Sequence, residues 1–420
     1  MLLHTRLAII DCHPRSNQPF TYGQTTISYN GELWNFREVR ALLAQEGCSF
    51  QTNGDTEVMA AALDRWGAAA LPRFDGMFAV AWTKDGQEVS LARDRYGEIP
   101  LHWAPGAFAS ERKALLGMGI AGHLIQDVPP GGLLTLCPSG ARITTWYALP
   151  AREQRIDRLT AADRLRTLLE EAVTARQIAD VPLATLFSGG LDSATIAAIL
   201  VRSFPGIPSY IAVYDPRSPD LRAARIGAEA LGLTLREVRV PSPTADDLAG
   251  VVRVIEMSSK AQVEIGWPCL ALARAMQADG IRVIFSGEGS DELWASYGFS
   301  YHGIQQEGWG PHRRKLIRAQ AAKNFARCNK IFMAAGIECR LPFLSPPLVE
   351  YALSLPQATV QDRGRPKAVL QDAVGDWLPS RLRDRPKLAF QDGLGMKSAA
   401  AQAVAQPARF YRQEYARTFG

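Results

Sequence analysis

Two rhythms of apolar residues divide the chain. Up to about residue 146, short apolar runs are separated by Gly, Pro and Asn, which predicts strands at Leu7–Ile10, Thr25–Tyr29, Met77–Trp82, Val89–Ala92 and Leu133–Leu136. A helical period runs through Asn35–Gln45 and Thr56–Trp66, so a β-rich layer with helices over it is expected. At Tyr147–Arg152, a charged segment containing Pro150, the rhythm changes. Leu165, Leu168, Leu169, Ala172 and Val173 mark one face of a helix at Ala161–Ile178. Strands at Leu183–Phe187, Ser209–Tyr214, Leu235–Val240 and Ile281–Phe285 then alternate with helices at Ser193–Ser203, Leu221–Leu231, Ala245–Met257 and Pro268–Ala278. This βαβα order predicts an α/β fold with a doubly wound parallel sheet, in which ligands bind beyond the carboxyl ends of the strands. The expected domains are residues 1–150 and 151–420, the second closing in a terminal helix after Met396.

Candidate chemistry concentrates at two of those strand ends. Leu186-Phe187-Ser188-Gly189-Gly190-Leu191-Asp192-Ser193 reads as a buried strand, a tight turn and a helix start. Glycines there let backbone N–H groups approach a phosphate, and the helix N-terminus adds partial positive charge. Ser188 and Ser193 can donate hydrogen bonds to phosphate oxygens, and Asp192 can hold a Mg²⁺ that accompanies them. Ser-Gly-Gly by itself is also an ordinary strand-to-helix turn. The second loop, Ser286-Gly287-Glu288-Gly289-Ser290-Asp291, again combines glycines with acids, and a solvated turn is its plain alternative. Together the loops supply what a Mg–ATP site needs, with Asp192 and Asp291 as the metal-holding pair.

The composition sets few further limits. Of 420 residues, 47% are hydrophobic and 21% charged, which is that of a globular chain of two or three domains. A net charge of +5 is spread rather than blocked, so nucleic-acid binding is not implied. Cys12, Cys48, Cys137, Cys269, Cys328 and Cys339 form no CxxC pair and read as buried free thiols of a reducing, cytoplasmic compartment. No apolar run reaches membrane-spanning length, and Met1-Leu2-Leu3-His4 does not read as a signal peptide.

The first loop resembles the pyrophosphate-binding loop of ATP pyrophosphatases, which split ATP to AMP and pyrophosphate. Six short pieces of the first domain carry a second resemblance: His4–Leu7, Tyr29–Glu32, Gly54–Glu57, Phe74–Ala79, Arg93–Gly97 and Ala109–Leu115. In this order they look like the class II glutaminase domain of asparagine synthetases, which has an N-terminal-nucleophile fold. Arg217–Leu221, Gly336–Leu344 and Arg385–Gly393 likewise resemble the synthetase domain of that family. The resemblance implies that Arg6 and Asp55 grip glutamine, that Asn30 and Gly31 form an oxyanion hole, and that Glu32 holds the substrate. It further implies that Leu186, Val213, Ser286 and Gly287 cradle adenosine, that Lys387 reaches the pyrophosphate, and that Glu288 positions or deprotonates the amine. Singly, several pieces have plainer readings: Asn30-Gly31 as a hairpin turn, Asp55 as a helix N-cap, Arg6 as a strand-surface charge, Lys387 as a surface charge.

Two departures shape the functional expectation. The family's chain starts with a nucleophilic cysteine, and none of the six cysteines lies at a terminus, so glutaminase activity of this chain alone is not expected. A partner chain or homodimer supplying that segment, a scaffold role and a misplaced start are all open. Where asparagine synthetases carry a Thr-Thr-Ile-Arg type stretch near the aspartate, this chain has Ala261-Gln262-Val263-Glu264, followed by Trp267. Glu264 would repel a carboxylate and favour an amine, and Trp267 would add a flat wall; Glu264 complementing a helix dipole is the alternative. Glu338 is assigned to the same pocket and discriminates little. The expectation is an AMP-forming amide ligase using ATP and Mg²⁺, joining an acid other than aspartate to ammonia or another amine. An intramolecular cyclase, as the related β-lactam synthetases are, and a non-catalytic subunit of a split amidotransferase are the alternatives. Glu288, where β-lactam synthetases carry Tyr, favours the ligase.

Overall fold

The structure, a computed structural model, describes residues 1–362, 364–385 and 396–420. It divides into two compact units. One comprises Met1–Ala148, Ile178–Val181 and Phe419–Gly420; the other comprises Leu149–Gln177 and Pro182–Thr418.

The first unit is built on a six-stranded sheet, ordered β1 (Phe20–Tyr22), β2 (Thr25–Leu33), β3 (Gly76–Thr83), β4 (Val89–Arg93), β8 (Gly132–Cys137), β9 (Gly140–Thr145), with antiparallel neighbours throughout. A smaller sheet joins β5 (His102–Ala104) to β6 (Ala107–Ala109) and β7 (Gln126–Asp127). Helices α1 (Phe36–Gln45) and α2 (Asp55–Trp66) pack together, α2 also against β1 and β2; α3 spans Arg112–Gly117. Every residue of α2 from Asp55 to Leu63 is buried, so this helix is a core element rather than an amphipathic surface one. Val58, Met59 and Leu63 are 0% exposed, a burial worth roughly 1.5–3 kcal/mol for each side chain.

Three local expectations change here. Leu7–Ile10 forms no strand: the Arg6 guanidinium donates to the Ile10, Asp11 and His13 carbonyls and curls the chain around itself. Asn30-Gly31 is no turn but lies in mid-β2, opposite Ala79 and Phe78. Gly31 has φ +132°, and a Cβ there would lie 2.0 Å from the Met77 carbonyl oxygen, so close strand approach rather than a turn requires the glycine. The N-cap of α2 is Gly54, not Asp55, whose carboxylate is drawn across to β2.

The second unit holds a parallel five-stranded sheet ordered β12 (Thr234–Arg239), β11 (Pro208–Val213), β10 (Leu183–Leu186), β13 (Val283–Phe285), β14 (Glu338–Arg340). Helices α4 (Arg158–Ala175), α5 (Leu191–Ser203), α6 (Pro219–Leu231), α7 (Ala245–Ile255) and α8 (Lys260–Ala278) accompany it. A helical layer continues through α9 (Ser290–Trp294), α10 (Ser300–Glu307), α11 (Trp309–Gln320) and α12 (Asn324–Met333). Then come α13 (Pro346–Ser354), α14 (Gln357–Val360), α15 (Ala368–Ala373), α16 (Ser380–Arg383), α17 (Met396–Ala403) and α18 (Pro407–Phe419). The tail thus carries two helices where one was expected. Helix α8 begins at Lys260 and passes through Pro268, although proline costs a hydrogen bond and clashes with the preceding turn. Packing of buried Val263, Gly266 and Trp267 between α7 and α12 outweighs that local signal. No helix among the described residues is long and apolar enough to cross a membrane.

Candidate active site

The strand order itself locates the site. The chain runs from β10 outward through β11 to β12, then returns to the other side of β10 as β13. The order therefore reverses between β10 and β13, which are register-paired Thr185 to Phe285, the switch point at which open α/β sheets have their ligand crevice. Those loops are Phe187–Gly190 and Ser286–Gly289. Gly189 has φ +68°, and a Cβ there would meet the Ala224 amide nitrogen at 2.5 Å, so glycine alone lets the loop pack on α6. The loop is closed internally: the Ser188 and Ser193 hydroxyls lie 3.2 Å apart, Gly190 N donates to Ser188 Oγ at 3.3 Å, and Ser193 Oγ donates to the Gly190 carbonyl at 3.1 Å. Gly287 of the second loop lies directly against Asp192, in the first turn of α5 that follows the first loop. Leu186 and Val213 end β10 and β11 beside them.

The two aspartates meet on one cation that sequence reading passed over. Lys367 Nζ lies 2.7 Å from both carboxylate oxygens of Asp192 and 2.7 Å from Asp291 Oδ1. Its side chain is 7% exposed. Ser290 Oγ donates to Asp192 Oδ1 at 2.7 Å and Ser296 Oγ to Asp291 Oδ1 at 2.6 Å, fixing both carboxylates. Two carboxylates from the first turns of different helices, α5 and α9, thus share one positive atom, a donor set that fits a divalent cation also taking phosphate oxygens. Among the described residues no group of three or more His, Cys, Asp or Glu is placed to hold a metal by itself. The sequence did carry a signal for Lys367: the tripeptide Arg-Pro-Lys occurs at 365–367 as well as at 385–387. Lys387 lies outside the described residues. Its neighbour Arg385 donates to Asp220 at 2.5 Å, at the first turn of α6, where Ser218 caps the helix.

Glu288 is held by a buried polar chain. Arg327 of α12 donates to Glu288 Oε1 at 2.6 Å through Nη2, and through Nη1 to Gln262 Oε1 at 2.5 Å and Asn324 Oδ1 at 3.0 Å. Gln262 Nε2 in turn donates to Asn324 Oδ1 at 2.9 Å. Tyr297 O–H donates to Glu292 Oε1 at 2.5 Å, and Asn324 Nδ2 reaches both. Burial, with the Glu288 charge beside it, pushes the Glu292 carboxyl up to about 7. Arg327 is 2% exposed while Glu288 keeps 27% of its side chain accessible, so the carboxylate faces the crevice and the guanidinium anchors it from behind.

The remaining pocket residues separate. Gln262 and Glu264 sit two positions apart on α8, and only Gln262 reaches the Glu288 chain. Glu264 is 1% exposed and pairs with Lys260 at 3.4 Å one turn earlier. Trp267 is a core residue whose indole donates to the Pro241 carbonyl at 2.9 Å, not an open wall. Glu338 is buried in β14 and accepts from Arg340 Nε at 2.8 Å.

In the first unit, Asp55 Oδ2 accepts from Tyr29 O–H at 2.8 Å and from Leu33 N–H at 3.0 Å, with Glu32 hydrogen-bonded beside it. Burial raises its carboxyl despite those bonds. Asn30 Nδ2 reaches Ser110 Oγ at 3.4 Å, and Arg6 is committed to backbone carbonyls as described.

Comparison with known proteins agrees with this two-part build. A glutamine amidotransferase domain profile matches residues 1–128, and an asparagine synthase profile matches residues 164–327 and 305–410. The chain is 30% identical to asparagine synthetase B [glutamine-hydrolyzing] of Escherichia coli, over 96% of this chain and 77% of that protein. It is 30% identical to an asparagine synthetase [glutamine-hydrolyzing] of Triphysaria versicolor, over 94% of this chain and 70% of that one. A solved glutamine phosphoribosylpyrophosphate amidotransferase of B. subtilis is similar at 21% identity and a TM-score of 0.28, over 49% of this chain and 52% of that one, too low to add to the sequence match.

Proposed function

The chain belongs to the asparagine synthase family of carbon–nitrogen ligases, and on that premise we propose that it forms amides at the expense of ATP by an AMP-forming route, using ammonia or another free amine. One observation carries the reading: loops at the β10/β13 switch point bring Asp192 and Asp291 onto a single cation, with Glu288 between them in sequence on the second loop.

A substrate carboxylate attacks the α-phosphorus of ATP, and the bond to the pyrophosphate breaks. Backbone amides of the Ser188–Gly190 turn and the N-terminus of α5 offset the charge of the departing pyrophosphate. Lys367 supplies a further positive charge there. Mg²⁺ arriving with the nucleotide would be held by Asp192 and Asp291 and would supply charge neutralisation on the leaving group. An amine then attacks the acyl carbon, Glu288 accepts its proton, and AMP leaves. Positioning and electrostatics do most of this work, as in other phosphoryl chemistry.

Two finer features of the proposal rest on commitments of particular side chains. Arg6 and Asp55 are both engaged inside their own unit, which supports ammonia rather than glutamine as the nitrogen source for this chain. In the first turns of α8, Lys260 is taken up by Glu264 and Gln262 by Arg327, so that end of the helix offers a second carboxylate no uncommitted cation among the described residues. That supports an acid other than aspartate. The test is AMP release across a panel of acids with ammonium or glutamine as nitrogen source. Ammonium-dependent AMP formation with a non-aspartate acid is expected; aspartate as the best acid would remove the substrate part, and no AMP with any acid would remove the whole.

A further inference from the structure

Three of the six cysteines gather behind Glu288. Cys12 is exposed and Cys48 and Cys137 are half-buried, against the expectation that all six are buried. Cys269 of α8, Cys328 of α12 and Cys339 of β14 are buried. Cys328 Sγ lies 3.8 Å from Arg327 Nη2 and 3.9 Å from Glu288 Oε1, so it borders both members of the ion pair that faces the crevice. The Cys339 thiol lies close enough to that of Cys328 for this neighbour, together with burial, to push it well up. The two cysteines lie on elements packed together, and the turn between them is closed by Ile337 N donating to the Phe332 carbonyl at 3.0 Å. Burial pushes the Cys269 thiol up to about 12.

We propose that Cys328 and Cys339 are a peroxide-sensitive dithiol whose oxidation to a disulfide shuts down amine transfer at Glu288. This rests on the role for Glu288 given above. A site that takes ammonia, as proposed above, also admits hydrogen peroxide, which is of similar size and polarity. The Cys328 sulfur attacks one peroxide oxygen, the O–O bond breaks and one water leaves; the neighbouring guanidinium stabilises negative charge on the attacking sulfur. The Cys339 sulfur then attacks Cys328, the S–O bond breaks, the S–S bond forms and a second water leaves. Both thiol protons end in the two waters, the thiols lose two electrons, and peroxide is the electron acceptor. The disulfide withdraws the Cys328 S–H from Glu288 and ties α12 to β14, displacing Arg327, the immediate neighbour of Cys328, from its place behind the carboxylate.

The full chain is treated with hydrogen peroxide, alkylated and peptide-mapped, and ATP–pyrophosphate exchange and amide formation are measured separately. The expected result is a Cys328–Cys339 disulfide, an amide-forming rate down at least about tenfold, exchange largely kept, and recovery with dithiothreitol. Cys339→Ala, with Cys339→Ser as a second variant should the first fold poorly, keeps the untreated rate and loses the reversible inhibition. Cys269→Ala keeps both. Free, alkylatable Cys328 and Cys339 under conditions that oxidise exposed Cys12, or a disulfide through Cys269, would overturn the proposal. Should the untreated chain make no AMP, the functional reading fails, and the disulfide map still decides this one.

Discussion

Each unit of this chain places an aspartate in the first turn of a buried helix, and the two are used in opposite ways. Asp55 opens α2 in the first unit, and its carboxylate is consumed by neighbours of its own unit: the Tyr29 hydroxyl, the Leu33 amide and Glu32. Asp192 is the second residue of α5 in the second unit, and its carboxylate is held by a serine hydroxyl and the ammonium of Lys367. An amide or phenol fixed in a sheet cannot leave without unfolding something. An ammonium at the end of a flexible stem can move aside for a ligand. The same residue type in the first turn of a helix is therefore a structural tie in one unit and a ligand-ready group in the other.

The most severe way to break this comparison is to remove the exchangeable cation or its partner. Asp192→Asn or Lys367→Met is expected to lower AMP release by about 10²–10³-fold with little change in thermal midpoint. A large fall in midpoint with activity retained would make these residues ties like Asp55. Glu288→Gln is expected to cost about 10²-fold in amide formation while ATP–pyrophosphate exchange continues, since only the second step needs a proton acceptor there. Equal loss of both steps would place Glu288 in nucleotide binding.

The converse change is Asp55→Ala, which strands the Tyr29 hydroxyl and the Leu33 amide. A stability loss of about 2–3 kcal/mol by denaturant titration is expected, with ammonium-dependent AMP release little altered. The smallest expected effect concerns Asp11. Burial by itself raises its carboxyl, but hydrogen bonds from the Asn53 amide and from Arg15 and Ser16 hold it at about 2, below its ordinary 3.8. A depressed folded-state value means stability that is present above the ordinary value and drains away as pH falls toward 2. Asp11→Asn should therefore lose roughly 1 kcal/mol at neutral pH and show a flatter acid denaturation profile between pH 4 and 2 than the parent, a window set by those two values.

Local patterns and long-range contacts were not equally legible. The alternation of strands and helices from Leu183 to Phe285 reads from sequence because burial on both faces of a parallel strand leaves a continuous apolar run. The strand-end loops read because glycine and helix-start chemistry are local. Lys367 did not read, because its partner Asp192 is 175 residues away and no periodicity links them. The split between Gln262 and Glu264 was equally hidden. Once α8 is known to start at Lys260, residues two apart point to different sides of it, but Pro268 had suggested that the helix began later. Asn30-Gly31 misled for the opposite reason: a strong local turn signal was overridden by the eight-residue pairing of β2 with β3.

Sequence by itself determined the layered first unit, the doubly wound second unit, the order of its glycine-rich loops and the family to which the chain belongs. All of these follow from periodicity and short-range chemistry. Tertiary structure decided which carboxylates are shared with a cation and which are closed into a core. It also decided that Arg327 stands behind Glu288 and that two cysteines meet there. Those outcomes depend on which distant segments the folded sheet brings within a few ångströms, where desolvation makes each pairing count.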